Sequence, residues 1–291
     1  MIEKPQTAAG YSPDFVKHVM GTCLYIATKL GDLLNDIVVV GGLVPTLLIP
    51  PESIPDGAAS HVGTTDLDIG LSLLLLDEQR YTELSLRFRR AGFENDVNER
   101  GNPTRQRWIN KEYGFAVTVD FLIPPSREDD VGGQIRNLEN DFAAVIVPGL
   151  DLAFRDKVLV PLEGITIADE KVRREIWVCG PGAFIILKAI AFRLRGERKD
   201  AYDLHFVVRH YGEGLDDILS CLEPLLESRH AQEALIILQD DFCDIDNIGP
   251  IRAAEFVGND RNEEIRADIA GDIRMLVKAW EELQSRKRKK Q

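Results

Sequence analysis

Apolar residues recur at helical spacing from about residue 13 to 34, where Phe15, Val19, Cys23, Ile26 and Leu30 form one stripe. Ser12 is placed to cap that helix, and Pro13 suits its first turn. The next run, Ile37-Val38-Val39-Val40, is continuous and apolar, as expected of a buried strand, and stops at Gly41-Gly42. A short helix start over 43–49, limited by Pro45, leads into a loop with Pro50, Pro51, Pro55 and Gly57 that ends near His61. Loose alternation predicts a strand over 66–73, and amphipathic spacing predicts a helix over 77–91 that Gly92 stops. Two strand-like runs, 106–110 and 115–123, are separated by polar residues and Gly114, as in a hairpin. Residues 126–140 are polar and glycine-containing and read as an exposed loop. Strands are expected over 143–147, 158–167 and 176–179, and after Gly180-Pro181 the pattern is helical almost to the end.

An α/β stretch followed by an all-α stretch predicts an α+β chain with two domains, 1–180 and 181–291. At 291 residues with 44% hydrophobic positions, the chain can bury a sizeable core. No stretch approaches the roughly 18–20 apolar residues of a membrane span, and the first residues lack the basic and apolar regions of a signal peptide. The expectation is a soluble, cytoplasmic protein without a membrane partner. Cys23, Cys179, Cys221 and Cys243 are scattered among apolar residues without metal-ligand spacing, so they read as free thiols. The net charge of −13 disfavours broad nonspecific binding to nucleic acid. Positive charge is nevertheless clustered at Arg87, Arg89 and Arg90, at Arg193, Arg195, Arg198 and Lys199, and over 286–290. The last cluster reads as a solvated, disordered tail near 285–291.

The densest chemistry lies over 61–71, HVGTTDLDIGL. In a strand, Asp66 and Asp68 project from one side and Leu67 and Ile69 from the other. Two adjacent carboxylates repel unless a cation neutralises them, and oxygen-only ligands favour Mg²⁺ or Mn²⁺ over zinc. A third acid, Asp120, interrupts the otherwise apolar and β-branched run VTVDFLI, where a carboxylate is rarely present for packing. Gly41 and Gly42 let the backbone approach a ligand closely, and the helix start after them offers free N–H groups to a triphosphate.

The order VVVGGL, TTDLDIG, VTVDFL resembles the DNA polymerase β-type nucleotidyltransferase superfamily. A second stretch, AFIILKAIAFRLRGERKDAYDLHFVV over 183–208, is similar to the helical motif of the AbiEii/MenT-type nucleotidyltransferases, many of them toxins of bacterial toxin–antitoxin pairs. The matching positions are Lys188, Arg195, Lys199, Asp200 and Asp203. Helical spacing puts Lys188 and Arg195 on one face, Asp200 and Asp203 one turn apart, and Lys199 and Asp203 in i,i+4 register.

The resemblance implies a polymerase β-like domain with a mixed sheet flanked by helices, followed by a helical domain that completes the nucleotide pocket. It implies that Asp66, Asp68 and Asp120 ligate two Mg²⁺ or Mn²⁺ ions, with Asp120 on the ion that activates the acceptor. It also implies that Gly41, Gly42, Lys188, Arg195, Lys199 and Asp203 bind the NTP, with Lys188 joining Asp66, Asp68 and Asp120 as a catalytic residue. Gly42 stands where many members carry Ser, so Thr64 or Thr65 is the candidate for the missing hydroxyl. The implied reaction moves an NMP from an NTP to an acceptor hydroxyl. RNA, such as a tRNA end, is the favoured acceptor, with small molecules and proteins as alternatives and a cognate antitoxin as a possible partner. An antibiotic-modifying enzyme and a non-catalytic nucleotide-binding module are the other readings.

Overall fold

Ser12 accepts a hydrogen bond from the Phe15 amide and starts helix α1 (Pro13–Leu30), which gives way at Gly31 to a 3-10 segment, Gly31–Asp36. In this computed structural model the described residues are 4–72, 78–113, 117–258 and 262–290. Strand β1 (Ile37–Val40) is buried throughout and is followed by the turn Gly41–Leu43 and helix α2 (Val44–Leu48). Then come β2 (Asp66–Leu71), α3 (Glu78–Arg90), β3 (Phe93–Val97), β4 (Pro103–Asn110) and β5 (Thr118–Ile123). They are followed by β6 (Ile135–Asn137), β7 (Ala143–Ile146), α4 (Leu152–Arg155), β8 (Lys157–Ile165) and β9 (Lys171–Cys179). The rest is helical: α5 (Pro181–Arg195), α6 (Arg198–His210), α7 (Leu215–Leu222), α8 (Arg229–Phe242), α9 (Ile248–Phe256) and α10 (Glu263–Lys290).

The strands described form one mixed sheet in the order β3-β4-β5-β2-β1-β9-β8. One edge of β5 is shared, pairing with β4 through residues 118–120 and with β7 through Leu122 and Ile123, and β6 extends β7. Alternation sends Leu67, Ile69, Val119 and Phe121 to one face, where all four are buried. There Phe121 meets Phe88 of α3 and Phe142 with ring centroids 4.9 and 4.8 Å apart, and Trp108 of β4 meets both of these phenylalanines at 5.9 Å. Tilted and edge contacts of this kind suit the ring quadrupoles and hold β4 and β5 firmly. The opposite face of β2 and β5 carries Asp66, Asp68, Thr118 and Asp120, with Gly70 and Leu122 at its far end.

Two compact units result. One comprises Lys4, Ser12–Val44 and Gly63–Cys179 and contains the whole sheet; the other comprises Pro5–Tyr11, Pro45–Val62 and the chain from Gly180 onward. The units divide between Cys179 and Gly180, and residues 5–11 and 45–62 group with the helical one. The proline-rich loop falls in the helical unit because its His61 bonds to Asp203 of α6, a pairing of distant residues that local sequence does not reveal. Within that unit α5 is buried along most of its length and packs against α6, α7 and α8. Gly196, with φ 64°, closes α5 by donating to the Phe192 carbonyl.

Several local expectations change. The first helix ends at Leu30 rather than 34, and the last expected strand begins at Lys171 rather than 176 because it pairs along its full length with β8. Strand β3 was not expected, since its exposed Glu94 mimics a loop, and β6 lies inside the stretch read as a loop. The basic run is not a disordered tail but the end of α10, where Lys and Arg are good helix formers and their charge suits a helix C-terminus. Arg286 pairs there with Glu282 and Lys287 with Glu227. Leu73, Asp77, Gly114, Phe115 and Ala116, which belong to expected elements, lie outside the described residues.

Candidate active site

Parallel pairing of β2 with β5 sets Asp66 opposite Thr118 and Asp68 opposite Asp120. The three carboxylates thus share one face of the sheet, and one oxygen from each lies within 4.8 Å of the others. Asp66 and Asp120 are buried and Asp68 half-buried. Oxygens on opposite sides of a single Mg²⁺ stand about 4 Å apart, so this spacing fits small rotamer adjustments around one ion or a pair of ions bridged by a carboxylate. An all-oxygen donor set with three negative charges fits a hard divalent cation.

The surroundings already offset that charge. Lys4 Nζ lies 2.5 Å from Asp66 Oδ2, and the Thr64 hydroxyl donates to Asp66 Oδ1 at 2.7 Å. Arg107, paired in register with Asp120 from β4, donates Nε to Oδ1 at 2.8 Å and a terminal nitrogen to Oδ2 at 2.7 Å. The Asp120 bonds raise the Arg107 pKa further above its already high value, and the charges of Asp66 and Asp68 add to this. Val40 pairs with Asp68, so the chain leaves β1 beside that carboxylate. Gly41 has φ 73°, and a Cβ on it would collide with Asp68. Gly42 follows in the same turn, and Thr65 sits half-buried at the bend entering β2.

The helical unit holds a second charged cluster. Lys188 of α5 donates to Asp200 Oδ1 and Asp203 Oδ2, both at 2.8 Å. Arg195 engages both oxygens of Asp200 at 2.6 and 2.8 Å, and Lys199 both oxygens of Asp203 at 2.7 and 2.9 Å. Lys188, Arg195, Lys199 and Asp203 are therefore brought together, with Asp200 as an added member. Burial alone would lower the Lys188 pKa, but the Asp200 and Asp203 charges outweigh it and raise the ammonium's pKa. Burial likewise works against the Asp203 carboxylate, yet Lys188 and Lys199 hold its pKa well below the usual range. Lys199 differs: burial prevails over Asp203 and lowers its pKa. Arg195 is 55% exposed, whereas Lys188 is 8%.

His61 and Thr46 complete the cluster, although the sequence singled out neither. His61 Nε2 lies 2.9 Å from Asp203 Oδ1 and Nδ1 lies 2.9 Å from the Thr46 hydroxyl. Burial pushes the imidazole pKa down to about 4, against the pull of Asp203. The neutral ring therefore donates from Nε2 to the carboxylate and accepts the Thr46 proton at Nδ1. Tyr202 stacks on it with centroids 5.4 Å apart. Arg107 was equally unmarked: alternation pairs it with Arg105 on one face of β4, but only the strand register shows that Asp120 is there.

No helix among the described residues is long and apolar enough to cross a membrane. No curated protein matches the chain. A family model described as the nucleotidyl transferase AbiEii toxin of a type IV toxin–antitoxin system matches residues 61–285, a span that begins at His61 and takes in the three carboxylates and the α5–α6 cluster. With that match over more than half of its length, the chain belongs to the AbiEii nucleotidyl transferase toxin family and is a nucleotidyltransferase.

Proposed function

We propose that the chain transfers a nucleoside monophosphate from an NTP to the hydroxyl of an RNA, such as a tRNA end, as the toxin of a toxin–antitoxin pair. The observation that carries this reading is the trio Asp66, Asp68 and Asp120 on one sheet face beside Gly41. Asp66 and Asp68 would hold two Mg²⁺ or Mn²⁺ ions and Asp120 one of them. Such ions lower the pKa of the acceptor hydroxyl and stabilise charge on the leaving oxygen. The acceptor oxygen bonds to the α-phosphorus as the bond to the pyrophosphate oxygen breaks, and the Asp120 carboxylate takes or orients the acceptor proton.

Nucleotide binding falls to the backbone N–H groups at Gly41 and Gly42, to the Thr65 hydroxyl, and to Lys188, Arg195 and Lys199, with Asp203 orienting the lysines. The exposure of Arg195 supports its role as the cation that meets phosphate most directly. The depth of Lys188 and its two carboxylate partners support a role in fixing the local field as charge moves toward pyrophosphate.

The net charge of −13 favours a second reading, a small-molecule acceptor such as an antibiotic, since an acidic surface repels RNA at long range. Incubation with each α-labelled NTP, Mg²⁺ and either total RNA, total protein or candidate small molecules separates the two. A discrete labelled RNA band is expected. Label that appears only on a small molecule or a protein would overturn the RNA assignment.

A further inference from the structure

Arg107 and Lys4 both place a cation on the acidic trio, but in different ways. Lys4 reaches Asp66 through a side chain that is 60% exposed. Its ammonium is a point charge on a flexible four-carbon stem reaching a carboxylate that is itself only 7% exposed, so an incoming ion can take its place without any rearrangement of the sheet. Arg107 is 24% exposed, Asp120 13%, and their two parallel bonds take up both carboxylate oxygens. A planar bidentate guanidinium fork is stronger and better fixed in direction than an ammonium contact. The strand register that sets Arg107 opposite Asp120 fixes the pair to the sheet itself.

We propose that Arg107 is a positioning residue that gates the third carboxylate. In the metal-free protein it holds Asp120 against the sheet face with both oxygens engaged, and it cedes one oxygen when a divalent ion binds there. Divalent ions then load in sequence, first at Asp66 and Asp68 and afterwards at Asp120 in competition with the guanidinium. This inference rests on the metal-dependent reading above.

The test is Mn²⁺ binding to the full chain without nucleotide, followed by electron paramagnetic resonance. Wild type, Arg107→Gln, Arg107→Lys and Lys4→Ala are compared, and thermal unfolding in EDTA checks that each is folded. The wild type should show a tighter and a weaker class of bound Mn²⁺. Arg107→Gln should tighten the weaker class by about tenfold, the order expected when a charge-assisted bidentate competitor is lost. Arg107→Lys, which keeps the charge but gives up the fork, should tighten it by about threefold. Lys4→Ala should leave the weaker class within about twofold of wild type. If Arg107→Gln does not fold, the threefold gain in Arg107→Lys carries the test. An unchanged or weakened second class in the folded Arg107 variants would overturn the gating role while leaving the metal site intact. A wild type that binds no Mn²⁺ would overturn both.

Discussion

Gly41 gives up to the Asp68 carboxylate the space that any other residue's Cβ would fill. Its φ of 73° is one that an L side chain adopts only with strain, and Val40 just before it pairs with Asp68 across β1 and β2. Gly41→Ala therefore meets both a backbone penalty and a steric one. Chemical denaturation should show a loss of about 1–3 kcal/mol. Mn²⁺ affinity should fall as well, because Asp68 must turn away from its partners. A variant with wild-type stability and metal affinity would show that the tight approach is not needed.

The charged cluster of the helical unit separates stability from substrate binding. Asp203→Ala takes from buried Lys188 one of its two carboxylate partners and from half-buried Lys199 its ion pair, and should cost about 3–5 kcal/mol in urea denaturation. Arg195→Ala leaves buried Asp200 its Lys188 bond, so it should cost less than Asp203→Ala, about 1–3 kcal/mol, but raise the KM for NTP. An Arg195→Ala variant with unchanged KM would remove that residue from the proposed nucleotide contacts.

His61 should be visible in the pH dependence of stability. Below pH 6.5 the unfolded imidazole takes up a proton, whereas folded His61, with its pKa pushed down to about 4 by burial, stays neutral. Stability is thus full above pH 6.5 and declines as pH falls toward 4, by roughly 3 kcal/mol from this residue. The carboxylates of the cluster behave differently: Asp203, bonded to the ring, and Asp200, on the other side of Lys188, have lowered pKa values, and their contribution is lost only below the ordinary carboxylate range. Denaturation from pH 7.5 to 4 should therefore give a much flatter profile for His61→Gln than for wild type. Parallel profiles would assign the slope to other groups.

How much of this was legible from sequence depended on whether the determining contact was local. The cap at Ser12, the all-buried β1 and the shared face of Asp66 and Asp68 follow from periodicity and residue chemistry alone. Lys188, Arg195, Lys199 and Asp203 were singled out by the resemblance, and their helical spacing agrees with the one helix pair that carries them. Arg107 was not, since its partner is set by the register of β4 against β5. His61 and Thr46 were missed for the same reason: the carboxylate that binds His61 is 142 residues away. Strand β6 has only three residues, two of them exposed, so its place in the sheet depends on pairing with β7 rather than on any pattern of its own.

The carboxylate trio carries the central claim, and the most direct measurement is NMP transfer from an α-labelled NTP by wild type and Asp68→Asn at matched folded concentration. The wild type should label its acceptor and release pyrophosphate with Mg²⁺ or Mn²⁺ and fall silent in EDTA. Asp68→Asn should lose at least about a thousandfold in rate, the scale expected when electrostatic stabilisation of the transition state is removed. Undiminished transfer by Asp68→Asn, or transfer by wild type in EDTA, would contradict the account.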